Sequence, residues 1–235
     1  MRRRVLITGG GRRVGLATAR ALAPTCDLVI TTHSDVEAVR RTTGSLPTTV
    51  DVVPLDLGDP DDVESFEIDG PIDGIVHNAS IYGPTPLEEV DETVFMRYMR
   101  VNALAPLLLT KRLVPKLRAS SAGSIVVMAD IHTMGLPRVA FSAYSMSKAA
   151  LVEFVRVMAR ELVPIRVNGV APGVVAWPEE GYESDQESQE AYLRLVPLER
   201  PGTPEEAAEA VRWLLLDATY TTGQFIRVDG GRALR

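Results

Sequence analysis

The 235-residue chain has one cysteine, Cys26, and this excludes an intrachain disulfide and a cysteine-built zinc site. Cys26 stands just before an apolar run and reads as a small buried residue, at home in a reducing cytoplasm. No apolar run approaches the ~20 residues of a membrane span. The basic start MRRR imitates the head of a signal peptide, but only Val5–Ile7 follows before glycines intervene, which is too short for an apolar core. An excess of positive charge is also missing. The net charge of −6 argues against a nucleic-acid or membrane-surface partner. Internal repeats and low-complexity tracts are absent, and no residue cluster calls for a metal.

What is present is an alternation of two patterns. Short apolar runs, several of them β-branched, occur at Val5–Ile7, Leu28–Thr31, Val50–Pro54, Ile72–Val76, Ser124–Met128, Arg166–Val170 and Phe225–Val228. They read as buried parallel strands. Helical patterns lie between them at Val14–Ala23, Asp59–Phe66, Leu87–Arg118, Phe141–Leu162 and Pro204–Leu216, the last opened by Thr203 as N-cap and Pro204 at the first helical position. The expected fold is α/β: a single Rossmann domain over 1–235, with a doubly wound seven-stranded parallel sheet and helices on both faces. Pro178–Glu190, rich in Glu, Ser, Gln and Gly, reads as an exposed loop, and 174–195 as a substrate-binding lid hinged at Gly173, Pro178 and Gly181.

Ligands of such sheets bind at the carboxyl ends of the strands, where Gly9–Arg13, His33–Ser34, Asp56, Asn78–Tyr82, Asp130 and Pro172–Gly173 fall. Among these, Thr8–Gly15 (TGGGRRVG) forms a strand, a glycine turn and a helix start, a phosphate-binding device. Gly9, Gly10 and Gly11 allow close approach of a pyrophosphate. Tyr144 and Lys148 are four apart, on one face of a helix. Alone, the pair is more often a surface contact. A lysine near the phenol favours phenolate and makes Tyr144 a candidate acid or base. Asp130 ends the strand SIVVM fourteen residues earlier, and a carboxylate there needs a partner or a task.

The ordered set resembles the short-chain dehydrogenase/reductase family over essentially the whole chain. TGGGRRVG is similar to TGxxxGxG, with Gly9, Gly11, Arg12, Arg13 and Val14 at the cofactor. Asp56 and Leu57 resemble the adenine contact. HNAS resembles NNAG, with Asn78 steadying the sheet and Ala79 and Ser80 by the adenosine. Asn102 in VNALAP resembles the asparagine that holds a relay water. Tyr144 and Lys148 match YxxxK, RVNGVAPG with Pro172, Gly173 and Val174 matches the segment leading to the nicotinamide, and VDGG at Val228–Gly231 matches the C-terminal signature. The resemblance implies catalytic roles for Asp130, Tyr144, Lys148 and Asn102. It also implies a homotetramer built on Leu87–Arg118 and Phe141–Leu162, with Arg235 reaching a neighbour's site.

Departures from the family pattern narrow the reading. Arg13 stands where TGxxxGxG has its middle glycine, Asp130 occupies the usual serine position, and NAS is followed by Tyr82. These features resemble the pteridine reductase branch, including dihydromonapterin and dihydrofolate reductases of this fold. A serine can donate to a developing alkoxide, whereas an ionised Asp repels it and suits a ring rich in N–H donors. Arg13, Ser80, Tyr82, Asp130 and Tyr144 are then the substrate residues. The second strand ends in Thr32, His33 and Ser34 with no acid, so Arg12, His33 and Ser34 are expected to hold a 2′-phosphate, and NADPH is the expected cofactor. The expected reaction is reduction of a C=N bond in a pterin or dihydrofolate-like ring. The alternatives are a reductase of a carbonyl, such as a 3-oxoacyl thioester or small ketone, and a non-catalytic NADP-binding regulator.

Overall fold

The computed structural model describes residues 2–33, 35–177 and 183–234. Seven strands form one sheet: β1 (Arg3–Thr8), β2 (Cys26–Thr32), β3 (Val50–Pro54), β4 (Gly74–His77), β5 (Ser124–Met128), β6 (Arg166–Pro172) and β7 (Phe225–Val228). Their order is β3-β2-β1-β4-β5-β6-β7, and every neighbouring pair is parallel. The order reverses between β1 and β4, which opens a crevice at the carboxyl ends of those strands.

Period-two side-chain alternation sends the strand residues into two cores. Leu6, Val29, Ile75, Ile125, Val127 and Val167 pack on one face with α3 (Pro60–Ser65), α5 (Ala105–Ala119) and α6 (Ser142–Glu161). Val5, Ile7, Leu28, Ile30, Val76, Val126 and Val170 pack on the other with α1 (Arg13–Leu22), α2 (Val36–Thr43) and α8 (Pro204–Leu216). Each fully buried Leu, Ile or Val contributes about 1.5–3 kcal/mol, so these two layers dominate the stability of the scaffold. α8 carries the expected cap: Thr203 Oγ1 accepts from Glu206 N, and the Glu206 side chain accepts from Thr203 N.

Two sequence expectations need correction. The pattern at Leu87–Arg118 is not one helix. A 3₁₀ turn at Leu87–Glu89 is followed by α4 (Glu92–Met99), started by the Asp91 cap. A π-helical turn at Arg100–Leu104 then leads into α5. Asn102 lies in that π turn, a wide turn of the kind that often marks functional sites. Within the 174–195 segment, Gln186–Leu193 is a helix, α7, started by Asp185 accepting from Ser188 N. Its few apolar residues gave no helical period, so it read as loop. Residues 178–182, Ser34 and Arg235 lie outside the described residues, and so do the roles expected of them. No described helix is long and apolar enough to cross a membrane.

Candidate active site

The loop after β1 is shaped by contacts that leave no room for side chains. At Gly15, in the first turn of α1, a Cβ would lie 2.2 Å from Gly9 O and 2.7 Å from Asn78 Nδ2. Gly9 itself has φ +64°. Arg13, where the family pattern has glycine, keeps the left-handed backbone at φ +47°, a conformation a non-glycine residue adopts at a cost.

Asn78 ties this loop to the end of β4, since its Nδ2 donates to Thr8 O at 2.9 Å and Gly9 O at 3.1 Å. Its own N–H and that of Ala79 donate to Thr8 Oγ1, each at 3.0 Å. The preceding His77 is buried and bonded through Nε2 to Thr110 Oγ1 at 2.8 Å. Burial pushes its pKa down to about 3 and keeps the ring neutral.

The start of α1 lacks a side-chain cap and a first-turn acid, features shared by α6, where Thr85 Oγ1 accepts from Ala143 N instead. Helices α2, α3, α4, α7 and α8 are capped by the side chains of Asp35, Asp59, Asp91, Asp185 and Thr203. The N-cap residue of α1 is Arg12, whose side chain makes no cap bond, and its first turn has no acid. The orphan N–H groups of this end are left to an external anion. A pyrophosphate fits both this end and the glycine turn beneath it.

A cleft of about 1100 Å³ runs from that turn to the end of β6. It is lined by Gly9, Gly11, Arg12, Arg13, Val14, His33, Asp56, Leu57, Asn78, Ala79, Ser80, Tyr82, Asp130, Tyr144, Lys148, Pro172, Gly173 and Val174. The structure therefore brings most of the predicted residues together along one cleft. Asn102 does not line the cleft. It is buried, with Oδ1 accepting from Ile81 N at 2.9 Å and Nδ2 donating to Ile81 O and Ser147 Oγ, each at 3.0 Å. Its side chain thus anchors the Ser80–Tyr82 strand-end loop to α6.

At the centre, Tyr144 Oη donates to Asp130 Oδ2 at 2.7 Å. Asp130 Oδ1 accepts from His132 N at 2.8 Å and starts the 3₁₀ turn Ile131–Thr133. The carboxylate is therefore both a cap and the partner of the phenol. Tyr144 is 4% exposed and Lys148 3%. The direction of the Tyr144 shift corrects the sequence reasoning. Burial first, then the Asp130 charge and the hydrogen bond to it, hold the phenol well above its ordinary value. Lys148 instead donates from Nζ to Met128 O at 2.8 Å, and burial pushes it down to about 8. Tyr144 is thus held as a neutral phenol.

The rest of the wall joins one expected residue, Tyr82, to residues that sequence reasoning missed. Tyr82 stands edge-on to Tyr144, with centroids 5.0 Å apart at 88°, and packs on Phe141 at 5.4 Å. Trp177 and Tyr192 line the cleft and meet edge-to-face at 5.7 Å. Arg138 and Glu183 also line it. Trp177, Arg138 and Glu183 come from loops with no period to read, and Tyr192 from the polar helix α7; the aromatic character of Trp177 and Tyr192 was the one available signal. At the end of β2, Asp35 is committed to capping α2, accepting from Ala38 N at 2.9 Å, and His33 Nε2 lies 3.5 Å from Asp56 Oδ2.

Motif residues away from the cleft have structural partners. Arg166 donates to Leu214 O, Leu215 O and Ala218 O at the end of α8. Asn168 bridges Thr221 O and Gln224 N.

Comparison with known proteins agrees with this geometry. A family model described as enoyl-(acyl carrier protein) reductase matches residues 11–233. Glucose 1-dehydrogenase of Gluconobacter oxydans is 31% identical, covering 99% of this chain and 92% of its own length. The 3-oxoacyl-[acyl-carrier-protein] reductase MabA of Mycobacterium tuberculosis is 30% identical over 99% of this chain and 93% of its own. A solved short-chain dehydrogenase/reductase of Brucella melitensis, described as glucose/ribitol dehydrogenase, superposes with a TM-score of 0.88 at 30% identity, covering 98% of this chain and 96% of that one. These names fit the carbonyl alternative better than the pterin reading, and they do not separate NADPH from NADH.

Proposed function

The chain belongs to the short-chain dehydrogenase/reductase family, whose members use a nicotinamide dinucleotide, and from that premise we propose an NADPH-dependent reductase acting on a C=N bond of a pterin-like ring. The observation that carries the substrate class is Asp130 beside Tyr144. An acceptor-only carboxylate at the reacting centre favours a substrate that presents N–H donors, and it opposes an alkoxide forming in the same place.

The residues would divide the work as follows. The uncapped start of α1 and the Gly9–Gly15 turn hold a pyrophosphate, and Asp56 and Leu57 flank the adenine. Arg12 and His33 favour a phosphorylated ribose, the acid just past β2, Asp35, being engaged in capping α2. Bound there, NADPH supplies a hydride. Tyr144 holds its proton until a substrate nitrogen takes it, and Asp130 fixes the orientation of the phenol. The Lys148 ammonium offsets the negative charge that builds up when the proton leaves. Asn102 keeps Ile81, and with it Ser80 and Tyr82, against α6. Tyr82 and Arg13 bound the space for the ring, and the two helical segments around α4–α5 and α6 remain the proposed tetramer faces.

The carbonyl reading is second, favoured by the relatives named above. A panel assay separates the two. Purified enzyme with NADPH is tested on dihydropterins, dihydrofolate, a 3-oxoacyl thioester and small ketones. Fastest turnover of a dihydropterin is expected; turnover of carbonyls alone overturns the pterin reading. Cofactor binding with no turnover of any compound would point to the regulator instead.

A further inference from the structure

At the substrate end of the cleft, one side chain joins three loops. Arg138, between β5 and α6, meets Glu183 with Nη2 2.6 Å from Oε1, and the two side chains are only 12% and 15% exposed. Arg138 Nη1 also donates to Tyr82 Oη at 2.6 Å. Its guanidinium lies 4.1 Å from the Phe141 ring centroid and 5.6 Å from that of Tyr82. Tyr82 follows β4, Arg138 and Phe141 follow β5, and Glu183 lies between β6 and α7.

Two costs converge here. An ion pair withdrawn from water pays desolvation that its attraction offsets only with good geometry and further hydrogen bonds, so such pairs are weak devices for stability alone. Glu183 also holds a left-handed backbone, at φ +64°, which persists only where the surroundings enforce it. Both costs fall on the wall that faces Tyr144. Arg138 is well suited to carry them, because its planar fork can serve a carboxylate and a hydroxyl while its face covers a ring. With the Arg138 donor on its oxygen, the Tyr82 hydroxyl keeps its own hydrogen to donate. Asp130 accepts on the same cleft wall.

We propose that Arg138 is a positioning residue of the substrate site: it clasps the segment at Glu183 to Tyr82 and Phe141 and so fixes the wall against which the substrate ring lies. The proposal rests on the cleft being a reductase site and does not depend on which ring is reduced.

The test uses Arg138→Met, Glu183→Gln, the double variant and Arg138→Lys, read in two ways. Kinetics with NADPH and the best substrate of the panel are expected to show KM raised about tenfold in each single variant. Changes in kcat should be under about threefold, and the double variant should be no worse than Arg138→Met. Arg138→Lys, which keeps the charge facing Glu183, should recover part of the loss. The second reading needs no turnover. In a Trp213→Phe background, Trp177 is the one remaining tryptophan, and its quenching by acrylamide should rise in Arg138→Met and Glu183→Gln alike. Unchanged quenching in both overturns the clasp. Raised quenching with unchanged KM overturns the positioning role. Losses that multiply in the double variant overturn the pairing. A wild type that turns over nothing would instead defeat the functional reading, while the quenching still decides the clasp.

Discussion

Gly15→Ala isolates the cofactor cradle from the chemistry above it. The added Cβ would lie 2.2 Å from Gly9 O, 2.7 Å from Asn78 Nδ2 and 3.0 Å from Gly10 Cα. An ordinary C···O contact is about 3.3–3.6 Å, so the first turn of α1 or the Gly9 peptide must move by about 1 Å. The nearest obstacles cannot swing aside: Gly9 O and Gly10 Cα are backbone, and the Asn78 amide is tied to Thr8 O and Gly9 O. Overpacking of this kind costs about 1–3 kcal/mol. For a chain of this size that lowers Tm by about 2–12 °C. The displacement acts on the groups that would hold the pyrophosphate, so NADPH affinity should fall about 10–100-fold. Fluorescence titration of NADPH and thermal unfolding measure the two effects. Binding within threefold of wild type with an unchanged Tm would refute the reasoning, because the cradle would then tolerate the bulk it is argued to exclude.

Three further outcomes are expected. Tyr144→Phe should lower kcat about 10²–10⁴-fold, the usual worth of a positioned proton donor, with NADPH affinity within about threefold; retained turnover would remove Tyr144 from the mechanism. Lys148, held at about 8 against an ordinary 10.5, has a depressed folded value. Its burial penalty is therefore fully present below about pH 8 and is relieved as pH rises from there to about 10.5, where the unfolded chain holds the extra proton. The stability of wild type relative to Lys148→Met, read from denaturant melts, should rise across that window and stay flat below it. NADPH should bind at least tenfold tighter than NADH, and Arg12→Ala should narrow the gap; equal affinities in wild type would refute the phosphate assignment.

The sheet was legible because each strand is a short β-branched run between turn residues, and a strand buried on both faces needs little else. The Leu87–Arg118 region misled because its apolar pattern continues through the π turn at Arg100–Leu104, although Asp91 and Pro106 are both start signals. Helix α7 was hidden by its polar composition. Within the site, motif spacing located Tyr144, Lys148, Asp130 and the glycine turn. It gave the Tyr144 shift the opposite direction, because it could not show that the phenol is buried, nor that Asp130 accepts its hydrogen bond while Lys148 points to Met128 O. Arg138 and Glu183 are 45 residues apart on separate loops. Only the folded chain brings them together.

The central claim is that Asp130, in the place of a hydroxyl donor, sets the substrate class. Its most direct test is the ratio of kcat/KM for a dihydropterin to that for a small ketone, measured with NADPH for wild type and Asp130→Ser. Losing a charged hydrogen-bond partner costs about 1.5–3 kcal/mol, so dihydropterin reduction should fall about 10–100-fold while ketone reduction holds or rises. A ratio unchanged by the substitution, or a wild type that prefers the ketone, would contradict the account.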